Sequence, residues 1–332
     1  MSKSDWQGRK VLVTGAGGFI GSHLVEALLN HGAQVRAFVR YNSRGDPGLL
    51  THLSPEQFSQ LEMVFGDLRD LPAVTTAMDD IEIVFHLGAL IAIPYSYKHP
   101  VNVVESNIIG TLNVLLAGRE TGVKRIVHTS TSEVYGTARR VPIDESHPLQ
   151  GQSPYSATKI AADKLAESFY CSYDLPVMTV RPFNTYGPRQ STRAVIPTII
   201  TQALTQDIIH LGNLDTLRDL TYVSDTVEGF LCAGRTPDIE GLTCNLGVGH
   251  EVKIGELANE IIALIGRNVE IRVDSSRLRP EKSEVQRLLS DNRLAKEKLG
   301  WSPQVNLRDG LLRTIEWVSE NLEHYRPNIY QL

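Results

Sequence analysis

Tyr155 and Lys159 lie four residues apart in a stretch of helical patterning, a spacing that puts both side chains on one helix face. A phenol is a poor base at neutral pH. A nearby ammonium favours the phenolate, so Lys159 can depress the pKa of Tyr155. Tyr-x-x-x-Lys alone is common by chance. Here it comes one strand-plus-loop after Thr129-Ser-Thr131-Ser132-Glu133-Val-Tyr135-Gly136, at the carboxyl end of a predicted parallel strand. Doubly wound sheets place their ligands there. Thr131 offers a hydroxyl next to the reacting oxygen.

A second group of residues can hold the oxidant. Gly15-Ala-Gly17-Gly18-Phe19-Ile20-Gly21 directly follows the first predicted strand and opens the first helix. Gly15 permits a tight turn, Gly18 lets backbone approach a pyrophosphate, and Gly21 lets the helix pack closely on the strand. The helix N-terminus adds free N–H groups and a favourable dipole. A bound dinucleotide is therefore expected, with Leu87, Gly88 and Ala89 after a later strand, and Leu68 beside Asp67, completing its surroundings. Asp67 either accepts from the adenine amino group or caps a helix. An acidic residue ending the second strand would bind a ribose 2′-hydroxyl, whereas Arg accommodates a 2′-phosphate. Arg40, Asn42, Ser43 and Arg44 stand there, with no carboxylate before Asp46. This favours NADP over NAD, unless Arg40 and Arg44 are merely solvated.

These residues need a scaffold. Short β-branched runs at 11–14, 34–39, 61–65, 81–87, 125–129 and 177–181 alternate with helical patterns at 20–30, 71–78, 101–121 and 154–173. Near-continuous apolar strands between helices predict an α/β fold, a Rossmann-type doubly wound parallel sheet covered on both faces. After Arg181, Pro, Gly and Asn become frequent and elements shorten, until helical patterns return at 291–299 and 307–322. The expected division is a dinucleotide-binding domain at 1–181 and a smaller mixed substrate domain at 182–325, with some segments returning to the large sheet. A tail at 326–332 is expected to be poorly tied down.

Composition narrows the function. A length of 332 residues suits two domains or one large one, with 42% apolar and 21% charged residues allowing a sizeable core. The net charge of -5 argues against nucleic-acid or membrane-surface partners, which need clustered Lys and Arg. Cys171, Cys232 and Cys244 lack metal-like spacing and suit a reducing compartment. The first ten residues are polar, without an apolar signal core, and no apolar run approaches the about 20 residues of a membrane span. A cytoplasmic protein is expected.

The stretches GxxGxxG at 15–21, TSEVYG at 131–136, YSATK at 155–159 and RPFNTYGPR at 181–189 together resemble the extended short-chain dehydrogenases of the nucleotide-sugar epimerase/dehydratase family, over nearly the whole chain. The resemblance implies Thr131, Tyr155 and Lys159 as catalytic triad. It implies a tightly bound NAD(P)+ regenerated each turnover, and a nucleotide-diphosphate sugar as substrate. Asn184, Arg193, Arg218 and Arg279, with Ile91 and Thr131 near the sugar, are the implied substrate residues; Arg suits bidentate phosphate recognition. Family members begin with proton removal from the sugar 4-hydroxyl and hydride loss from C4, and the 4-ketone then acidifies C5–H.

Glu133 is the informative position, because a carboxylate facing C5 could take that proton. Water would leave C6 with help from Glu133 or Ser132, and hydride returned to C6 would give a 4-keto-6-deoxy sugar. Thr131-Ser132-Glu133 is similar to the GDP-mannose dehydratases. Nucleotide-glucuronate decarboxylases also resemble TSEVYG, and 4-epimerases need no such base, so both stand as alternatives, with Glu133 then bonded to backbone. Leu90–Tyr97 differs from the loop of the GDP-mannose and dTDP-glucose dehydratases. With 148–154 and Leu278-Arg-Pro-Glu-Lys-Ser-Glu-Val285 it resembles the 4,6-dehydratases of legionaminic-acid biosynthesis, which implies GDP- or UDP-N-acetylglucosamine. A non-catalytic dinucleotide sensor would not need Tyr155, Lys159 and Thr131 together. The helices at 101–121 and 154–173 match those that form a four-helix dimer interface in the family, so a homodimer is expected.

Overall fold

The computed structural model describes residues 5–325; the expected tail at 326–332 lies outside them. The first half runs β1 (Lys10–Thr14), α1 (Phe19–Asn30), β2 (Gln34–Arg40), α2 (Pro55–Ser59), β3 (Glu62–Gly66), α3 (Leu71–Met78), β4 (Ile83–His86), α4 (Ile93–Lys98), α5 (Pro100–Val104), α6 (Gly110–Thr121), β5 (Arg125–Thr129), α7 (Pro154–Tyr173) and β6 (Val177–Pro182). The second half adds β7 (Asn184–Tyr186), α8 (Val195–Thr205), β8 (Ile208–Leu211), β9 (Leu217–Tyr222), α9 (Val223–Arg235), β10 (Thr243–Leu246), β11 (Glu251–Lys253), α10 (Ile254–Ile265), β12 (Glu270–Val273), β13 (Arg287–Leu288), α11 (Arg293–Leu299) and α12 (Leu307–Glu320).

Seven parallel strands form the main sheet in the order β10-β6-β5-β4-β1-β2-β3. Val11 pairs with both Val35 of β2 and Ile83 of β4. The strand order therefore reverses between β1 and β4, which opens a crevice at their carboxyl ends. One face of the sheet is covered by α1 and α9 through Leu24, Leu28, Phe230 and Leu231. The other carries α3, α6 and α7 through Met78, Leu115 and Phe169. Both faces being dry explains the uninterrupted apolar strands. The Rossmann-type α/β fold is thus observed. α9 and β10 return to the large sheet, while β11-β9-β13 with β7, and the pair β12-β8, build two small sheets beside the crevice.

Three details correct the expectations. The helix expected at 101–121 runs unbroken over Pro100–Thr121 but is not regular: α5 and α6 are joined by a π turn over Glu105–Ile109. The wide turn carries Asn107, whose Nδ2 donates to Leu90 O and Thr158 Oγ1 (both 3.0 Å) and whose Oδ1 accepts from Leu90 N (2.7 Å). Second, Pro100–Thr121 does reach the length and apolarity of a membrane span, but half of that stretch is buried in this fold, where it covers the sheet. Third, the helix that follows Asp67 is capped by Asp70, whose carboxylate accepts from Ala73 N, so Asp67 is not a cap.

Candidate active site

Ser153 starts α7 with a capping box to Ser156, and Pro154 fixes the first turn. Tyr155 and Lys159 therefore point from consecutive turns toward the end of β5, at 6% and 4% exposure. Thr131 caps the short turn Ser132–Tyr135, its Oγ1 accepting from Glu133 N at 3.2 Å. The Tyr155 hydroxyl faces Thr131 and lies in the field of Glu133 and Asp163. Ser132 is buried in the same turn.

The expected depression of the Tyr155 pKa is not found. Burial pushes the phenol well above its ordinary range, and pushes Lys159 down to about 8 against the pull of Asp163. The physical reason is aim: Lys159 Nζ donates to Thr129 O at 2.6 Å, and desolvation dominates both groups.

The crevice suits a dinucleotide. At Gly15 the backbone has φ +70°, and a Cβ would sit 2.8 Å from Gly88 N, so the ends of β1 and β4 meet only because neither residue has a side chain. Gly88 N donates to Thr14 Oγ1 at 3.1 Å, which fixes Leu87–Ala89 beside the loop. Gly18 is the N-cap of α1, with no side-chain cap and no acidic residue in the first turn. The orphan amides of Phe19, Ile20 and Gly21 thus face an anion site. Leu68 packs toward Gly88.

The end of β2 is less simple than expected. Asn42 spends its amide on its own turn: Oδ1 accepts from Arg44 N (3.2 Å) and Asp46 N (2.8 Å), and Nδ2 donates to Asp46 O (2.9 Å). Ser43, Arg40 and Arg44 are exposed. Asp67 accepts two bonds from the Arg69 guanidinium, which holds its carboxyl below the usual range.

The substrate side gathers charge. Arg218 is buried on β9, with NH1 donating to Leu217 O and NH2 at 3.5 Å from Glu284 Oε1. Arg279 NH1 lies 3.7 Å from Glu284 Oε1 and 4.0 Å from Glu133 Oε2. That NH1 is buried without a hydrogen-bond partner, as is Oδ1 of Asn184 at the start of β7. Arg193 is not part of this group. It is exposed and bonds Ser191 Oγ at 3.4 Å. Ile91 is 59% exposed at the rim.

Sequence reasoning missed Asn107, Asp163 and Glu284. Asp163 carried a signal, being four residues beyond Lys159 on the same helix face. Glu284 lay inside the quoted 278–285 segment. Asn107 gave none, since its aim depends on the π turn.

A switch-point crevice with an uncapped glycine-rich helix, and a buried Tyr–Lys pair beside it, define a dinucleotide enzyme of the extended short-chain dehydrogenase type. The family model "GDP-mannose 4,6 dehydratase" matches residues 12–314, and the chain belongs to that family. A UDP-glucose 4-epimerase of Mycolicibacterium smegmatis is 35% identical over 317 residues, 93% of this chain and 98% of its own. The solved dTDP-glucose 4,6-dehydratase of Streptomyces venezuelae, with NAD bound, superposes with a TM-score of 0.85 at 30% identity over 96% of this chain and 99% of its own. A UDP-N-acetylglucosamine 4-epimerase of Methanobrevibacter ruminantium gives 0.86 at 27% identity over 95% and 99%. The chain is thus an enzyme of a family of NAD-dependent nucleotide-sugar dehydratases and epimerases.

Proposed function

We propose that the protein is a nucleotide-sugar 4,6-dehydratase acting on GDP- or UDP-N-acetylglucosamine. The observation that carries this is the Glu133 carboxylate. Among the described residues it takes no backbone hydrogen bond; it is mostly buried, faces Arg279, and shares the field of Tyr155. A purely structural glutamate would be tied to backbone.

Residues 15–21 and Leu87–Ala89 would hold the dinucleotide, which would supply the hydride acceptor for C4 and the hydride donor for C6. Tyr155 removes the 4-hydroxyl proton, with Thr131 holding the oxygen. Glu133 takes the C5 proton, and Glu133 or Ser132 protonates the departing C6 hydroxyl. Residues 182–325 supply Asn184, Arg218 and Arg279 to the nucleotide diphosphate. The exposed Arg40 and Arg44 support a preference for NADP, tested by comparing Kd for NAD and NADP. Exposed apolar side chains on these helices, Val101 (69% exposed), Val104, Ile109, Tyr170 and Tyr173, support a homodimer built on α5, α6 and α7. Three free thiols support a reducing, cytoplasmic setting.

The test is to incubate the protein with each donor and weigh the product. A product lighter by one water, abolished by Glu133→Gln, is expected. A stereoisomer of unchanged mass would instead establish the 4-epimerase, which the Mycolicibacterium relative favours.

A further inference from the structure

Beneath Lys159 lies a buried polar cluster that the proposed reaction does not use. Asp163 sits one helical turn beyond Lys159 and is 5% exposed. Its Oδ2 accepts from Ser130 Oγ (2.7 Å) and from Arg181 Nε and NH2 (3.2 and 2.9 Å), and Oδ1 meets His128 Nε2 (3.2 Å). Arg181 is held further by Tyr135 OH at 2.9 Å, which itself donates to Asn245 Oδ1.

The geometry has a direction. His128 on β5 and Ser130, which follows its last residue and still bonds Val180 O of β6, are two residues apart in extended chain, so their side chains leave the same face of the sheet. Both are tied to the one carboxylate. Between them, the carbonyl of Thr129 accepts from Lys159 Nζ at 2.6 Å. Helix α7 therefore grips the end of β5 at three consecutive residues. Two grips pass through Asp163 and the third is Lys159 itself.

We propose that Asp163 is a positioning residue for Lys159: it fixes the Thr129 carbonyl that aims the ammonium and supplies the buried negative charge that keeps it protonated. The proposal rests on the assignment of Tyr155 and Lys159 as an acid–base pair, which the dehydratase and epimerase readings share. The other groups around Lys159 cannot do this. Tyr155 on α7 is neutral, and His86 on β4 and His128 on β5 are pushed toward their neutral forms by burial. Arg181 on β6 is a cation, and Glu133 bears on Tyr155 and Arg218. Among them, Asp163 alone raises Lys159, against the desolvation that lowers it.

The test reads Lys159 directly and needs no substrate. Protein carrying lysine labelled with 13C at Cε is titrated by NMR, the Lys159 signal being assigned by its loss in Lys159→Met. Asp163→Asn is expected to move the Lys159 midpoint down by about one pH unit, a tenfold loss of proton affinity. Ser130→Ala keeps the charge and is expected to move it less. If Asp163→Asn fails to fold because Arg181 is left buried and unpaired, Asp163→Asn with Arg181→Met removes both charges and is expected to shift the midpoint the same way. An unmoved Lys159 midpoint in the folded variant overturns the proposal, whatever sugar the enzyme accepts.

Discussion

The two walls of the crevice are finished to different degrees. On the dinucleotide and Tyr–Lys wall, polar groups close on one another at hydrogen-bond distance: Lys159 on Thr129, Gly88 on Thr14, Asp163 on His128, Ser130 and Arg181. On the wall proposed to take the nucleotide sugar the charges stand off. Arg218, Arg279, Glu284 and Glu133 are separated by 3.5 to 4.0 Å, with one guanidinium nitrogen and the Asn184 oxygen buried and unsatisfied. Buried polar groups are ordinarily satisfied, and each orphan is costly. The first wall is the more fully paired, though His128 Nδ1 and Thr129 Oγ1 are also buried without a partner. On the proposed function its groups serve the shared proton and hydride step, and the looser pairing of the second wall suits an anionic substrate.

This contrast is broken most severely at Tyr155. Tyr155→Phe keeps the ring and its packing but removes the hydroxyl proposed to take the 4-OH proton. Turnover is expected to fall by about 10²–10⁴-fold with the melting temperature nearly unchanged. A variant that kept its rate would show that the closed wall is not the catalytic one. Glu133→Gln acts at the border of the two. Elimination should fall by about 10²–10⁴-fold, while single-turnover reduction of the bound nicotinamide, followed by its absorbance, persists. Loss of both steps together would place Glu133 with the structural residues.

On the open wall the expected effect is smaller and of another kind. Arg279→Ala removes a cation that has no strong partner in the free protein, so stability should change little. A lost charge-assisted contact of about 1.5–3 kcal/mol raises KM by about 10- to 100-fold, with kcat reduced less. Equal losses in kcat and stability would mean that Arg279 belongs to the closed wall after all.

The same division governs what was legible in the sequence. The closed wall rests on local rules: a glycine loop between strand and helix, a Tyr and Lys four residues apart, apolar runs that mark buried strands. Those features read directly. The open wall depends on side chains brought from β7, β9 and the 278–285 segment, elements too short for periodicity to announce. Arg218 and Arg279 came through the family resemblance, and Arg193, placed with them, stands apart on the surface. Asn107 escaped because nothing in the helical pattern at 101–121 announces the π turn that carries it. At the β2 end the turn that Asn42 closes on itself was likewise not legible from the order of the residues.

Acid is expected to separate the walls most gently. His86 and His128 lie fully inside the closed wall, and His23 on α1 packs behind the glycine loop; burial pushes all three down, His23 to about 4. A histidine depressed in the folded state takes up its proton first in the unfolded chain. Its contribution is therefore complete above the unfolded value near 6.5 and is lost as pH falls below it, at up to about 1.4 kcal/mol per pH unit for each group. Asp219 on β9, raised to about 6 by burial, and Glu145, also raised, work in the opposite sense, because their folded forms bind protons more tightly. His52 on the surface side is lowered as well, and Asp225 on α9 is raised, so four histidines against three carboxylates leave a net loss between pH 6.5 and 5. Urea midpoints at pH 7 and pH 5 measure it, and hydrogen exchange locates it. The amides of β1, β4 and β5 should lose protection at pH 5 before those of β9, which carries Asp219. Earlier loss in β9 would mean that the buried carboxylates, and not the histidines, set the acid limit of the fold.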